Sequence, residues 1–177
     1  MFVCKFRGFE AVTVYEDTVQ LPTRSTKHSG AYDFYSPLPV RIPPRQTVTI
    51  DTNVKAYMQP NELLLLFTRS SGGKKGLQLK NTTGLIDSDY YNNPDNEGNI
   101  ILMLRNTTEI GGEDIVFSQG EKIAQGVFVN FLLADGDSLE NHTIVRRGGI
   151  GSTGVFMKDT ELQEETNKHS KKKWIFQ

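Results

Sequence analysis

The chain has 177 residues, of which 37% are hydrophobic and 23% charged, and its formal net charge is -1. This length favours a single domain with one hydrophobic core. The near-neutral charge argues against a protein that coats nucleic acid phosphates, so no direct nucleic-acid partner is expected. Cys4 is the only cysteine, which excludes an intrachain disulfide and a cysteine zinc cluster. The longest leucine run is too short to span a bilayer and no signal peptide opens the chain, so we expect a cytoplasmic protein without a membrane partner.

Short segments rich in β-branched and aromatic residues predict strands. In chain order these segments are Ala11–Tyr15, Thr47–Ile50, Leu63–Phe67, Ile100–Leu104 and Ala124–Leu133. Clusters of proline, glycine and asparagine separate them, a spacing that predicts an all-β antiparallel sandwich or barrel. A single short helical turn is predicted over Gly76–Lys80. From Lys158 onward the composition becomes polar and charged, which predicts a tail outside the packed domain.

The segment Gly84–Tyr90 contains the residues with the most informative chemistry. It combines a glycine, the carboxylate of Asp87 and an aromatic ring, and Arg69-Ser70-Ser71 precedes it in the chain. A carboxylate is able to activate water, and a cation with hydroxyls is able to hold phosphate oxygens. Hydrolysis of a phosphate ester is therefore the predicted chemistry. A serine-histidine-aspartate triad is a poor alternative, because none of the three histidines stands at a suggestive spacing from Ser70.

Five separated segments resemble, in order, the five motifs of the trimeric dUTPase family (deoxyuridine 5'-triphosphate nucleotidohydrolases). They are Ser29–Ser36, Thr68–Leu77, Asn81–Tyr90, Gly120–Gln125 and Arg147–Gly154. The resemblance implies a distorted jelly-roll fold, a homotrimer and Mg²⁺-assisted hydrolysis of dUTP to dUMP and pyrophosphate. It also implies a β-domain over 1–145, a glycine-rich arm over 146–154 that closes the active site of a neighbouring subunit, and a polar tail over 155–177.

The resemblance assigns roles to the catalytic residues. It implies that Asp87 activates the attacking water, that Arg69, Ser70 and Gln125 handle the phosphates, and that Asp33 holds the water shell of Mg²⁺. The residues alone leave simpler interpretations open. Asp87 is also typical of a turn cap, and Gln125 could simply end a strand before Gly126. For the nearby Asp89 we expect a structural role.

The resemblance also assigns the substrate contacts. Tyr90 is expected to pack on the deoxyribose and to exclude a 2'-hydroxyl, because an apolar wall offers that hydroxyl no partner. Backbone groups between Asn81 and Ile86 are expected to bind the uracil edge. The remaining contacts that the resemblance implies are Ser71, Gly84, Leu85, Arg147, Ile150, Gly151, Ser152 and Thr153.

Three features depart from the usual pattern of the family, namely Ile150, the segment after Tyr90 and the 23 residues that follow Gly154. For those 23 residues the sequence leaves three interpretations open: a disordered tail, a segment packed on its own trimer, or a segment that docks on a partner protein. Ile150 stands where a phenylalanine usually stacks on uracil, which forfeits about 0.5–1.5 kcal/mol of ring stacking. The arm has two adjacent arginines, and Arg147 is predicted to contact the γ-phosphate in preference to Arg146. The segment after Tyr90 is expanded over 91–98, as in members from Gram-positive bacteria and their phages. Because some phage relatives bind host regulatory proteins, such a protein is a further candidate partner.

A related enzyme, dCTP deaminase, is the nearest alternative. It shares the trimer and the phosphate-binding serines, but its chemistry needs a catalytic glutamate near the pyrimidine amino group. This chain has Asp87 in its Gly-Leu-Ile-Asp-Ser-Asp-Tyr segment instead. Deamination is therefore not expected.

Overall fold

Nearly all of the regular structure in the described part of this chain is β-strand. The computed structural model of the protein describes residues 5–138, Arg146, Gly148 and Gly149. The strands within these residues are β1 Gly8–Ala11, β2 Tyr32–Tyr35, β3 Val40–Ile42, β4 Thr47–Asp51, β5 Val54–Tyr57, β6 Glu62–Phe67, β7 Leu77–Leu79, β8 Gly84–Asp87, β9 Ile101–Asn106, β10 Ile115–Phe117 and β11 Lys122–Asn130. A short helix, α1, spans Ser70–Lys74, and 3₁₀ turns span Thr13–Tyr15 and Ser88–Tyr90. The predicted all-β class is confirmed. No helix in the described part of the chain has the length and apolar character needed to cross a membrane.

Antiparallel sheets enclose one hydrophobic core. Over the described residues, the largest sheet has the strand order β2-β11-β6-β8 and a second has the order β4-β9-β7, while β1 pairs with β5 and β3 with β10. Aliphatic side chains from all four sheets, together with Phe34 and Phe117, form one buried cluster. Among the described residues, no two strands that pair are consecutive in the chain, which is the connectivity expected of a jelly roll.

The leucine run of β6 has two different faces. Leu64 and Leu66 are fully buried, whereas Leu63, Leu65 and Phe67 are half-buried on the opposite side of the sheet. This alternation follows from the two-residue period of a strand. β6 is central in the four-stranded sheet, so its neighbours place Gln125 of β11 on one side and Asp87 of β8 on the other.

The strand predicted over Ala11–Tyr15 is wrong for most of its length. β1 lies earlier in the chain and pairs with β5 only as far as Ala11, which is opposite Val54. Asn53 just before β5 has a positive φ of 62°, so the partner strand ends there. Without a partner, the following residues form a 3₁₀ turn in which Tyr15 donates to the carbonyl of Val12.

The helical turn predicted over Gly76–Lys80 is also wrong. The helix forms earlier, on the serines themselves, and it ends before Gly76, whose φ of +81° is not helical. Leu77 and Leu79 are buried and Gln78 between them is exposed, so this segment pairs with β9 as β7. Alternation of apolar and polar residues has therefore determined the local structure here.

Candidate active site

β8 contains the segment whose chemistry is most informative. Gly84 pairs with Leu66 of β6, and a Cβ atom at Gly84 would lie 3.0 Å from the Cβ of Leu66. Glycine therefore permits a close approach of the two strands. Asp87 is the last residue of β8 rather than part of a turn, and its side chain caps no backbone N–H of the following 3₁₀ turn. The interpretation of Asp87 as a turn cap thus has no hydrogen bond to support it.

A cavity of about 270 Å³ opens beside β8. Its lining includes five of the predicted substrate contacts, which are Asn81, Gly84, Leu85, Ile86 and Tyr90. Leu66, Ile101 and Met103 supply further apolar surface, and Arg146 and Gly149 complete the lining. A largely apolar cavity with a few polar groups at its edge is typical of a small-molecule site.

Tyr90 forms a rigid wall of this cavity. Its side chain is only 5% exposed. Its hydroxyl donates to the carbonyl of Asn99 at 2.8 Å and accepts from Nδ2 of Asn96 at 2.8 Å. Because both hydrogen-bonding capacities of the hydroxyl are used, the ring is held in one orientation. A sugar packed on this ring would meet carbon rather than a free polar group.

Arg146, which lines the cavity, is hydrogen bonded to both Asp87 and Asp89. Its Nη1 lies 2.8 Å from Oδ2 of Asp87 and 3.2 Å from Oδ1 of Asp89. Its guanidinium carbon lies 5.3 Å from the centre of the Tyr90 ring, a cation–π contact. The Nε of Arg146 is buried and has no hydrogen-bond partner, so this arrangement leaves one donor unsatisfied. Asp89 therefore has a contact with the same arginine as Asp87.

Asp33 lies in a second cluster, on β2. Its Oδ1 lies 2.9 Å from Nε of Arg69 and its Oδ2 lies 2.9 Å from Nζ of Lys122, both as ion pairs, and the hydroxyl of Ser25 donates to Oδ2 as well. Burial alone would raise the pKa of Asp33. Hydrogen bonds from Ser25 and Lys122 and the positive charge of Arg69 outweigh it, and the pKa lies below its usual value. Asp33 is thus ionised and holds Arg69 in place.

Gln125 is opposite Asp33 in the sheet. It lies in the middle of β11, so the interpretation that it merely ends a strand is wrong. A β-bulge between Lys122 and Ala124 shifts the register just before it. Bulges re-aim the side chains around them, and here Lys122 reaches Asp33. The Nε2 of Gln125 donates to the carbonyl of Thr68 at 3.4 Å, next to Arg69.

A second cavity, of about 220 Å³, lies on this side of the sheet. Arg69, Lys75 and Lys122 supply three positive charges to its lining, and Ser71 contributes a hydroxyl. Glu121 is the acidic residue in the lining. Ser70 begins α1 beside this cavity and its side chain is exposed. The excess of cations suits an anionic ligand such as a polyphosphate.

The two clusters are far apart within one chain. Along β6, Asp87 is opposite Leu63 and Gln125 is opposite Phe67. Four residues of strand and two strand spacings put the backbones of Asp87 and Gln125 about 16 Å apart. Side chains of one chain therefore cannot meet from both clusters at a single phosphate.

The described residues are suited to hold Mg²⁺ only indirectly, through its bound waters. The described residues include no group of three or more histidine, cysteine, aspartate or glutamate side chains placed to hold a metal ion. Asp33 is the one predicted metal contact, and both of its oxygens already face cations. Mg²⁺ usually keeps several waters and takes ligands from substrate phosphates. Asp33 is suited to accept from such a water.

Five of the predicted substrate contacts lie outside the described residues. They are Arg147, Ile150, Gly151, Ser152 and Thr153. The expected tail over 155–177 lies outside them as well. Arg146 and Gly149, which do line the cavity, were not among the residues chosen from the sequence. The pair of adjacent arginines was the signal that could have identified Arg146.

The sequence profile of the dUTPase family matches residues 17–154. The chain belongs to the dUTPase family. It is 48% identical over 153 residues to the deoxyuridine 5'-triphosphate nucleotidohydrolase of Lactococcus lactis subsp. lactis (strain IL1403), covering 85% of this chain and 99% of that protein. It is 32% identical over 146 residues to the enzyme of the same name from Legionella pneumophila (strain Philadelphia 1), covering 79% and 90% of the two chains.

Solved dUTPase structures share the fold. The crystal structure of the dUTPase from Streptococcus mutans superposes with a TM-score of 0.66 at 47% identity, covering 73% of this chain and 99% of that one. A dUTPase of phage phi11 of S. aureus, which coordinates a structural Mg(II) ion, superposes with a TM-score of 0.61 at 20% identity, covering 77% and 97%. The expected similarity to Gram-positive and phage dUTPases, and the jelly-roll class of the family, are confirmed.

Proposed function

We propose that this chain hydrolyses dUTP to dUMP and pyrophosphate, with Asp87 activating the water that attacks the α-phosphate. One observation carries the proposal. The five predicted nucleoside contacts of the β-domain line a single cavity beside β8, the strand that ends at Asp87. The 48% identity to a deoxyuridine 5'-triphosphate nucleotidohydrolase supports the same reaction. General-base assistance of this kind contributes about 10²–10⁴ to the rate.

The cavity beside β8 is the proposed nucleoside site. Backbone N–H and C=O groups between Asn81 and Ile86 bind the polar edge of uracil. The segment around Gly84, where β8 approaches β6 closely, leaves no space for a 5-methyl group. Deoxyribose packs on the ring of Tyr90. A ribose would bury its 2'-hydroxyl against that ring without a partner, which disfavours UTP.

The second cavity, whose lining includes Arg69, Lys75 and Lys122, is the proposed triphosphate site. Arg69 and the hydroxyls of Ser70 and Ser71 bind phosphate oxygens, and Gln125 contacts the phosphate chain from β11. These donors stabilise the charge that develops on the departing pyrophosphate. When bound, Mg²⁺ neutralises charge on the phosphates, and Asp33 accepts a hydrogen bond from its water shell.

The arm over 146–154 completes the proposed site. Arg147 is the predicted γ-phosphate contact, and Ile150 covers the base in place of an aromatic ring. Gly151, Ser152 and Thr153 supply backbone and hydroxyl donors to the phosphates. In an oligomer we expect the arm of one subunit to close the site of another.

A homotrimer is the proposed assembly. Its support is the separation of the two clusters, since Asp87 and Gln125 of one chain lie about 16 Å apart while both are assigned to the phosphates of one bound dUTP. Bringing Asp87 of one subunit against Gln125 of another would restore one complete site. Light scattering after size exclusion tests this, and a monomer with full activity would contradict it.

Hydrolysis of dUTP would limit uracil incorporation into DNA and supply dUMP for dTMP synthesis. The proposed location is the cytoplasm, where nucleotides are made. A second role as a ligand of a host regulatory protein rests only on the expanded 91–98 segment. Its test is capture of a defined candidate regulator by the chain with and without dUTP.

The decisive test is a pyrophosphate-release assay with dUTP, UTP, dTTP and dCTP in the presence of Mg²⁺. We expect turnover of dUTP alone at low concentration. Equal turnover of UTP would refute the role of Tyr90, and release of ammonia from dCTP would assign the chain to the deaminases.

A further inference from the structure

Two of the three cations in the second cavity are already paired with the same carboxylate. Nε of Arg69 lies 2.9 Å from Oδ1 of Asp33, and Nζ of Lys122 lies 2.9 Å from Oδ2 of the same side chain. Lys122 also donates to the hydroxyl of Ser25 at 2.7 Å. Both cations are therefore held by the protein itself, and one carboxylate compensates half of their combined charge.

Lys75, the third cation, has no such partner. Its side chain is exposed and lines the cavity. Within the described part of the chain this side chain forms no ion pair and no hydrogen bond. The acidic residue of the lining, Glu121, accepts instead from the backbone N–H of Ser118 at 2.9 Å. Lys75 can therefore bind an incoming anion without first losing another partner.

The backbone that carries Lys75 is fixed on both sides. Its N–H donates to the carbonyl of Gly72 in α1 at 2.9 Å. The carbonyl of the next residue, Gly76, accepts from the backbone N–H of Thr107 at 2.9 Å and from its hydroxyl at 2.8 Å. Leu77 is buried, and a Cβ atom at Gly72 would lie 2.9 Å from its Cδ2. α1 thus packs tightly on the start of β7, and a flexible lysine stem projects from a rigid corner beside the cavity.

The adjacent lysine offers an internal comparison. Lys74 is exposed as well, but it belongs to the last turn of α1 and does not line the cavity. The two lysines have the same charge and are neighbours in the chain, so their long-range attraction for an anion is nearly equal. A direct contact inside the cavity is the property that distinguishes Lys75 from Lys74.

We propose that Lys75 is a substrate-binding residue that contacts the pyrophosphate portion of dUTP, and that it binds inorganic pyrophosphate in the same cavity. The inference rests on the proposed function and deepens it, because no motif role includes this residue. Asp87 is assigned to the α-phosphate, whereas Lys75 lies with the cluster around Asp33. The β- and γ-phosphates carry most of the charge of a triphosphate and leave together. An unpaired ammonium is suited to that charge.

The test is a calorimetric titration of the full chain with inorganic pyrophosphate and, separately, with dUMP, both in the presence of Mg²⁺. Lys75→Met removes the charge and keeps the length of the side chain. It should weaken pyrophosphate binding about 5- to 30-fold, the effect of one charge-assisted contact discounted for solvent exposure. The Kd for dUMP should not change, because dUMP lacks the β- and γ-phosphates. Lys75→Arg restores a cation and should bind pyrophosphate within about threefold of the unmodified chain.

Lys74→Met is the matched control, because it removes the same charge one residue away. Its Kd for pyrophosphate should stay within about twofold of that of the unmodified chain. Salt then distinguishes a charge contact from a change of shape. Exposed charges are screened beyond about 10 Å at 0.1 M salt and at shorter range above it. The loss in Lys75→Met should therefore shrink as the ionic strength rises.

Four results would overturn the role of Lys75. They are an absence of pyrophosphate binding by the unmodified chain, equal affinity in Lys75→Met, an equal loss in Lys74→Met, and a loss in Lys75→Met that extends to dUMP or is independent of salt. Failure of the proposed function shows separately, as an absence of dUTP hydrolysis by the unmodified chain. Pyrophosphate binding that depended on Lys75 would support the anion contact even then.

Discussion

Replacing Asp87 with asparagine tests whether this carboxylate activates water. Asparagine keeps the size of the side chain and an oxygen that accepts from Arg146, which lies 2.8 Å from Oδ2 of Asp87. It removes the negative charge and the basicity. If Asp87 is the general base, kcat for dUTP should fall by about 10²–10⁴. At 1.36 kcal/mol per tenfold change, this corresponds to roughly 3–5 kcal/mol of lost transition-state stabilisation.

The same substitution should hardly change stability. The Asp87 side chain is 45% exposed, and exposed ion pairs contribute about 0–1 kcal/mol after solvent screening. Urea unfolding should therefore give nearly the same midpoint for the variant and the unmodified chain. The contrast between a large kinetic loss and a small stability loss is what distinguishes a water-activating role from a structural one.

Asp89→Asn is the matched control for this experiment. Asp89 bonds the same arginine at 3.2 Å and is 61% exposed, but it has no proposed role in water activation. Pyrophosphate release should show kcat close to that of the unmodified chain. If Asp87→Asn kept full kcat, or if both variants lost kcat equally, the assignment of Asp87 as the base would be refuted.

Three further predictions concern residues in the two clusters and the arm. Asp33→Asn should lower the free energy of unfolding by about 1.5–3 kcal/mol at neutral pH. Because the pKa of Asp33 in the folded chain lies below 3.8, this difference in stability should be full above pH 4 and should shrink as the pH falls through that folded pKa. Denaturation at a series of pH values that showed no such change would contradict the prediction. Tyr90→Phe removes a hydroxyl with two partners and should cost about 1–2 kcal/mol of stability. It keeps the ring, so the ratio of kcat/KM for dUTP over UTP should not change, and a fallen ratio would show that the hydroxyl itself discriminates. Ile150→Phe should tighten binding of a non-hydrolysable dUTP analogue by roughly 2- to 10-fold through ring stacking, and calorimetry that finds equal affinity would refute the stacking argument.

Much of the sheet structure is predictable from local sequence. Thr47–Ile50 and Leu63–Phe67 fall within a residue of β4 and β6, because these segments are β-branched or apolar and turn residues bound them. Strands of three or four residues, such as β3 and β8, were missed. Such short segments have too few alternations to show a two-residue period, and they become strands only because a neighbouring strand supplies hydrogen bonds.

The predicted site residues illustrate a second limit. The order of the five motifs identified the family, and the cavity beside β8 contains Asn81, Gly84 and Tyr90 as expected. The sequence did not indicate that Arg146 bonds Asp87, or that Asp33 is held between Arg69 and Lys122. Long side chains reach across strands and loops, so their partners depend on the packing of distant segments rather than on spacing in the chain.

The sequence by itself determined the all-β class and the family and supplied the candidate site residues, because these follow from residue types in a fixed order. Only the tertiary structure decided how those residues are divided between the cluster around Asp87 and the cluster around Asp33. Antiparallel pairing on β6 places Asp87 and Gln125 opposite different ends of one strand, and Lys122 of β11 reaches Asp33 of β2. Strand register is set by the whole packed core, since a local segment contains no information about which distant backbone it will meet.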